Sequence, residues 1–324
     1  MQLSKHGKIS AKCGLLLMLS ALLVIFLLGC KKQTSPILDA EDMEPVELVM
    51  AQKTPVPTAQ SAPTFILPTD EPNMLFDENG NITLSKAYKA QFTARAYPFE
   101  HVPRVLVYHT HARESFCLPE QPLKMGKPSP TPVPENSLKT RSTDNAKNVV
   151  HLGDLLTSEL KKRGFTVFHD TTDVEQPKLS TAYERSRTVM AAYKEIDLYI
   201  DLHRNAADIN KARDDVVMLK GERVARMFFV VGTGIDADGW DANAMPNWKD
   251  NYRFAMSLSA QLRKVDEQLV KEPRVKQGRY NQDMGLCILA EVGHNANLLT
   301  DAEHTIPYLA DAIGAVCQFP KIKK

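Results

Sequence analysis

Neither sign of charge is in surplus: forty Lys and Arg stand against thirty-nine Asp and Glu, a formal net of +1. So weak a global field excludes the electrostatic footprint of a nucleic-acid binder, and any binding specificity has to be local. Cysteine is sparse as well. Cys13, Cys30, Cys117, Cys287 and Cys317 form no C-x-x-C pair, which excludes a zinc knuckle and a thioredoxin-like redox motif. Cys287 lies in an apolar run and reads as a small core residue. The chain also lacks an internal repeat, a P-loop and a Gly-rich dinucleotide fingerprint, so phosphate-cofactor chemistry has no support.

A hydrophobic content of 43% over 324 residues is ordinary for a globular protein and sufficient for a core. Three regions follow one another. In residues 1–30, Lys5, Lys8 and Lys12 precede an apolar run from Gly14 to Gly29, which reads as an N-terminal membrane anchor or signal segment. The basic flank predicts a cytoplasmic N-terminus with the rest of the chain outside. Leu27-Leu28-Gly29-Cys30 resembles a lipobox, so lipidation at Cys30 stands beside an uncleaved anchor and a released form. All three place the body beyond the membrane. Residues 31–99 read as a polar tether that Pro55, Pro57, Pro63 and Pro68 keep extended. A second Pro-rich segment, Pro119 to Pro134, reads equally as a substrate-facing loop or as disorder.

From residue 100 to 324 strand and helix patterns alternate. Val105 to Tyr108, Phe165 to Phe168, Asp197 to Leu202, Arg226 to Val231 and Met284 to Ala290 read as buried strands. Helical spacing joins Val149, Leu152, Leu156 and Leu160 after the N-cap types Thr143 and Asp144, with Gly164 as the stop. Further helices are expected over Tyr183 to Tyr193, over Phe254 to Leu269, and from a Thr300/Glu303 capping box to Val316. Connections of that length predict a single α/β domain, with a largely parallel central sheet flanked by helices.

In such a sheet, residues just past different strands converge along one edge. The first strand leads into His109-Thr110-His111-Ala112-Arg113-Glu114, the third into His203 and the last into Glu291. His111, Glu114 and His203 supply two imidazoles and a carboxylate, a set that suits Zn²⁺ and leaves one position for water. Glu291 is then the catalytic base, with partial desolvation expected to raise its pKa into a working range. Such a constellation points to amide hydrolysis.

Tyr-His-Thr-His-Ala-Arg-Glu-Ser-Phe (108–116), Arg-Ser-Thr-Asp-Asn (141–145) and His-Asp-Thr-Thr (169–172) resemble the stage II sporulation protein P family. So do Arg185-Ser186-Arg187, Asp-Leu-His-Arg-Asn (201–205), Tyr-Asn-Gln-Asp (280–283) and Ala-Glu-Val-Gly (290–293). The resemblance implies a membrane-anchored peptidoglycan hydrolase with an amidase-like or zinc-carboxypeptidase-like fold. Its expected bond is the N-acetylmuramoyl-L-alanine amide, with stem-peptide cross-links as a further target. Its expected partner in forespore engulfment is stage II sporulation protein D. The wider amidase pattern takes its ligand carboxylate from near the start of the next helix, making Asp144 the alternate to Glu114. His109 is the alternate to His111; extended alternation puts both on one face, the second orienting the first or facing substrate. Arg204 and Arg113 fit stem-peptide carboxylates or structural ion pairs. Asn205, where family members often carry Asp, is a further substrate-binding candidate. A non-catalytic wall-binding scaffold and an enzyme that cuts cross-links alone stay open.

Overall fold

The computed structural model describes residues 74–117, 141–206, 215–235, 245 and 247–320. The expected anchor, most of the tether and the Pro119 to Pro134 segment lie outside the described residues. All that is described belongs to one compact unit, Ala62–Lys324. In chain order it holds β1 (Met74–Phe76), β2 (Asn81–Leu84), α1 (Lys86–Lys89), β3 (Tyr97–Pro98), β4 (Arg104–Tyr108), α2 (Val149–Lys162), β5 (Thr166–His169), α3 (Ala182–Ala192) and β6 (Leu198–Asn205). Then follow β7 (Val216–Leu219), β8 (Glu222–Ala225), β9 (Met227–Gly232), α4 (Trp248–Val265), β10 (Arg274–Lys276), β11 (Cys287–His294), α5 (Leu299–Glu303), α6 (Ile306–Val316) and β12 (Cys317–Gln318).

The main sheet has eight strands in the order β1-β2-β10-β9-β11-β6-β4-β5. Pairing is parallel across β5, β4, β6 and β11 and between β9 and β10. It is antiparallel where β9 meets β11 and at the β1 and β2 edge. The parallel half is the part that carries the strand ends of interest.

Side-chain alternation assigns the two faces. Val105, Val107, Leu198, Ile200, Leu202, Ile288, Ala290 and Val292 pack with the apolar stripes of α2, α4 and α6. Leu106, Tyr108, Tyr199 and Cys287 take the other parity and pack with Met190 of α3. Leu152, Leu156 and Leu160 of α2 are wholly buried, each worth roughly 1.5–3 kcal/mol relative to exposure. Asn148 rather than Thr143 or Asp144 caps α2, its side chain accepting from the Val150 amide. Gly164 ends that helix at a positive φ of 96°, as its glycine predicts.

Two expectations need correction. The folded region starts before residue 100, because β1 and β2 join the sheet edge and Met74, Ile82, Leu84, Tyr88 and Phe92 enter the core. Strands of three or four residues leave too little periodicity to be seen against a Pro-rich background. The expected terminal helix is two helices, α5 and α6, interrupted at His304 and Thr305; Pro307 opens the second, and the Thr305 hydroxyl donates to the Ala225 carbonyl.

A fragment starting at residue 100 should therefore be less stable than one starting at residue 72 by several kcal/mol, as expected for about five exposed apolar side chains. Urea denaturation measures this; equal midpoints would overturn the assignment of residues 74–99 to the domain.

Candidate active site

Register brings the expected strand ends together. Tyr108 of β4 pairs with Asp201 of β6, and His203 of β6 pairs with Glu291 of β11. Residues paired across a sheet point to the same face, so Asp201, His203 and Glu291 share the face that α3 covers only in part. His111 arrives from the turn after β4, its ring edge-on to His203 with centroids 5.3 Å apart.

His203 is the electrostatic centre. Its Nδ1 lies 3.3 Å from Glu114 Oε2 and its Nε2 2.8 Å from Asp201 Oδ1, and all three side chains are buried. Burial works against the imidazolium, but Asp201 and Glu114 outweigh it and hold His203 well above its usual range. Burial would likewise raise Glu114; the charge and hydrogen bond of His203, with Arg204, outweigh it and bring that carboxyl to about 2. Asp201 is further fixed by the Thr110 amide at 2.9 Å and the Thr110 hydroxyl at 2.6 Å. The Arg204 amide donates to Glu114 Oε2 at 3.0 Å.

Glu291 behaves in the opposite sense. Burial, then the charge of Glu114, push its carboxyl up to about 7 against the pull of His203, Arg204 and Arg274. Its Oε2 is buried without a hydrogen-bond partner, as is His111 Nδ1. Adjacent carboxyls with pKa values driven apart allow one to hold charge while the other exchanges a proton near neutral pH.

Among the described residues no three His, Cys, Asp or Glu side chains are gathered closely enough to hold a metal ion. The donor types nevertheless suit zinc, and the unpartnered His111 Nδ1 and Glu291 Oε2 are polar atoms a ligand would satisfy.

Residues 39–314 match the family described as stage II sporulation protein P. The chain belongs to that family. A curated relative, stage II sporulation protein P of Bacillus subtilis (strain 168), is 28% identical over 224 residues, 64% of this chain and 49% of the relative. This family member thus spans about half the length of the curated relative it matches. Two solved structures show a distant likeness. One is the catalytic domain of CD27L endolysin targeting Clostridia Difficile, with TM-score 0.37, 14% identity, and coverage of 66% of this chain and 94% of that one. The other is an apo N-acetylmuramyl-L-alanine amidase, Ami1, from Mycobacterium abscessus, with TM-score 0.34, 12% identity, and coverage of 67% and 96%. Scores that low bear on neither fold nor chemistry.

In this family member the two alternate ligands stand elsewhere. Asp144 is exposed, accepts from the Ala146 amide and pairs with Lys147. His109 does not share a face with His111, because the extended chain ends at Tyr108 and turns through Thr110 to Arg113. Its ring is buried against α2, with Nδ1 2.9 Å from the Leu202 carbonyl and Nε2 2.9 Å from His169 Nε2. Substrate does not reach it there. Gly153 makes the room: a Cβ at that position would fall 2.4 Å from His169 Nε2 and 2.6 Å from His109 Nε2.

Arg113 is engaged by Asp173 at 2.6 Å, the ion-pair alternative. Arg204 is buried, its Nε donating to the Ser115 carbonyl at 2.7 Å and its Nη1 to the Asn205 carbonyl at 3.3 Å. Asn205 ends β6, half-buried, beside His294. Sequence reasoning missed Asp201 as the partner of His203, although it stands two residues away on the same strand face. It also missed Glu175, which is buried and lies 4.0 Å from His111 Nδ1 while accepting the Arg113 amide and pairing with Arg141. No periodicity marked Glu175; it follows a loop.

In the metal-free protein the Glu291 carboxyl should titrate near 7, and Glu114→Gln should move that midpoint down by removing a charge that raises it. Carbon-13 NMR of labelled glutamate reads both; a wild-type midpoint near 4.5 would sink the assignment.

Proposed function

We propose that this chain is a peptidoglycan hydrolase of sporulation, specifically a zinc-dependent N-acetylmuramoyl-L-alanine amidase acting during forespore engulfment. Family membership supports the substrate and setting. The observation that carries the chemistry is Glu291, whose buried Oε2 has no hydrogen-bond partner and which stands beside His203 in the same row of the sheet.

His111, Glu114 and His203 would hold the ion. When bound, zinc would act as a Lewis acid on the scissile carbonyl and acidify the attacking water. Glu291 would accept a proton from the attacking water at its unpartnered Oε2 and return it to the leaving nitrogen, a contribution of roughly 10² to 10⁴-fold. Asp201 fixes the ring of His203, and the Arg204 amide fixes Glu114. An extracytoplasmic location behind the expected N-terminal anchor, and joint action with stage II sporulation protein D, belong to the same proposal.

Purified sacculi incubated with the full chain should release stem peptides, with release abolished by chelator and restored by zinc. Mass analysis identifies the bond: free L-Ala amino termini mark an amidase, cut cross-links alone an endopeptidase. A folded protein that binds sacculi and releases nothing would be a wall-binding scaffold instead.

Metal binding supplies a separate test. His203 has a raised pKa, so at neutral pH it must give up a proton to act as a ligand, and zinc affinity should rise with pH. Competition against a chromophoric chelator at pH 6, 7 and 8 should show progressively tighter binding. Affinity that is flat over that range would overturn His203 as a ligand.

A further inference from the structure

Tyr280 is constrained more heavily than a half-buried side chain needs for packing. Tyr280 and Asn281 both have left-handed backbone, φ 51° and 55°, a conformation that is strained for a tyrosine. Two buried amide side chains hold it. Gln282 accepts from the Gly232 amide at 2.8 Å and donates to the Val230 carbonyl at 2.9 Å, while its own carbonyl accepts from Asn247 and Asn251. Asn281 donates to the Tyr183 carbonyl at 2.8 Å and to the Ser186 hydroxyl at 2.9 Å.

The ring itself lies in space kept free by two glycines. A Cβ on Gly278 would fall 2.7 Å from Tyr280 Cε2, and one on Gly232 2.8 Å from Tyr280 Cδ2. The far side of the ring meets Tyr183 of α3, with centroids 5.4 Å apart and planes at 80°. Tyr183 in turn stands edge-on to His111 at 5.7 Å. A continuous row of rings therefore runs from His203 through His111 and Tyr183 to Tyr280. Strain concentrated on a partly exposed aromatic beside a candidate catalytic centre is the pattern of a positioned ligand contact.

The flanks of His111 differ in chemistry. On one side are Glu175 with Arg141, and Arg113 with Asp173, a charged region. On the other are the two tyrosines, whose faces suit the apolar C–H face of a pyranose better than a carboxylate. We propose that Tyr280 and Tyr183 form the glycan subsite, packing against the hexosamine ring on the sugar side of the scissile amide and leaving the stem peptide to the charged flank. The assignment rests on the hydrolase reading above for the identity of the substrate.

The test uses the full chain and two separate probes, a peptide-free N-acetylglucosamine–N-acetylmuramic acid oligosaccharide and a sugar-free stem peptide beginning with L-Ala. Calorimetry should show that Tyr280→Ala weakens oligosaccharide binding about tenfold and leaves stem-peptide binding unchanged. Tyr280→Phe should keep wild-type affinity for both. Tyr280→Leu, which retains apolar packing, guards against misfolding and should lose affinity like the alanine variant. NMR of ring-labelled tyrosine in the wild-type chain should show Tyr183 and Tyr280 shifting with the oligosaccharide and staying still with the peptide. Unchanged oligosaccharide affinity in folded variants, or ring shifts caused by the peptide instead, would overturn the subsite. Sacculus digestion run in parallel keeps the two readings apart: binding that depends on Tyr280 without any release of peptide sinks the hydrolase and spares the subsite.

Discussion

A buried imidazole held between two carboxylates is the interaction on which the active edge depends. Burial alone would lower the pKa of His203; Asp201 and Glu114 outweigh it and raise it. Each of the three belongs to a different structural problem. Asp201 ties β6 to the loop after β4 through Thr110, and Glu114 ties that loop to the Arg204 amide. Removing His203 leaves two buried carboxylates facing each other without their shared partner, the costly case for an internal ion pair. The same arrangement separates the carboxyls, since the charge kept on Glu114 is one of the causes that raise Glu291.

Much of this was legible from residue types alone. Strand runs such as Leu198 to Leu202 announce themselves by near-continuous apolar character, and β6 and β11 run on past them, so that His203 and Glu291 lie within the strands toward their carboxyl ends. His111, Glu114, His203 and Glu291 could be named because they stand immediately after such runs. Met74 to Leu84 could not, because short edge strands borrow their order from β10 and carry no signal of their own.

The position of His109 shows where a rule of alternation stops. Alternation holds only while the backbone stays extended, and here it ends one residue before the motif begins. His109 keeps the parity of Val105 and Val107 and goes to the helix-covered face, whereas His111 is redirected by a turn. The exclusion of a side chain at Gly153, which lets two imidazoles meet beside α2, is equally invisible in one dimension. Asp144 illustrates the converse: it does not cap α2 as its type suggested, and the short turn of Asn145–Lys147 that it caps, with the Lys147 pair, accounts for it locally.

The reversal of β9 against β11 has a consequence for how the region can vary. A parallel connection must carry the chain back across the sheet, and α2 and α3 do that work on either side of β5. Between β6 and β9 no such return is needed, since β6 ends and β9 begins at the same edge, next to His203 and Glu291. The described part of this connection, the hairpin of β7 and β8, leads back to the rim where β9 begins. No crossover spans it, and Val217, Val224 and Ala225 anchor the hairpin in the core, so its turn tolerates change without moving the strands that hold the catalytic groups.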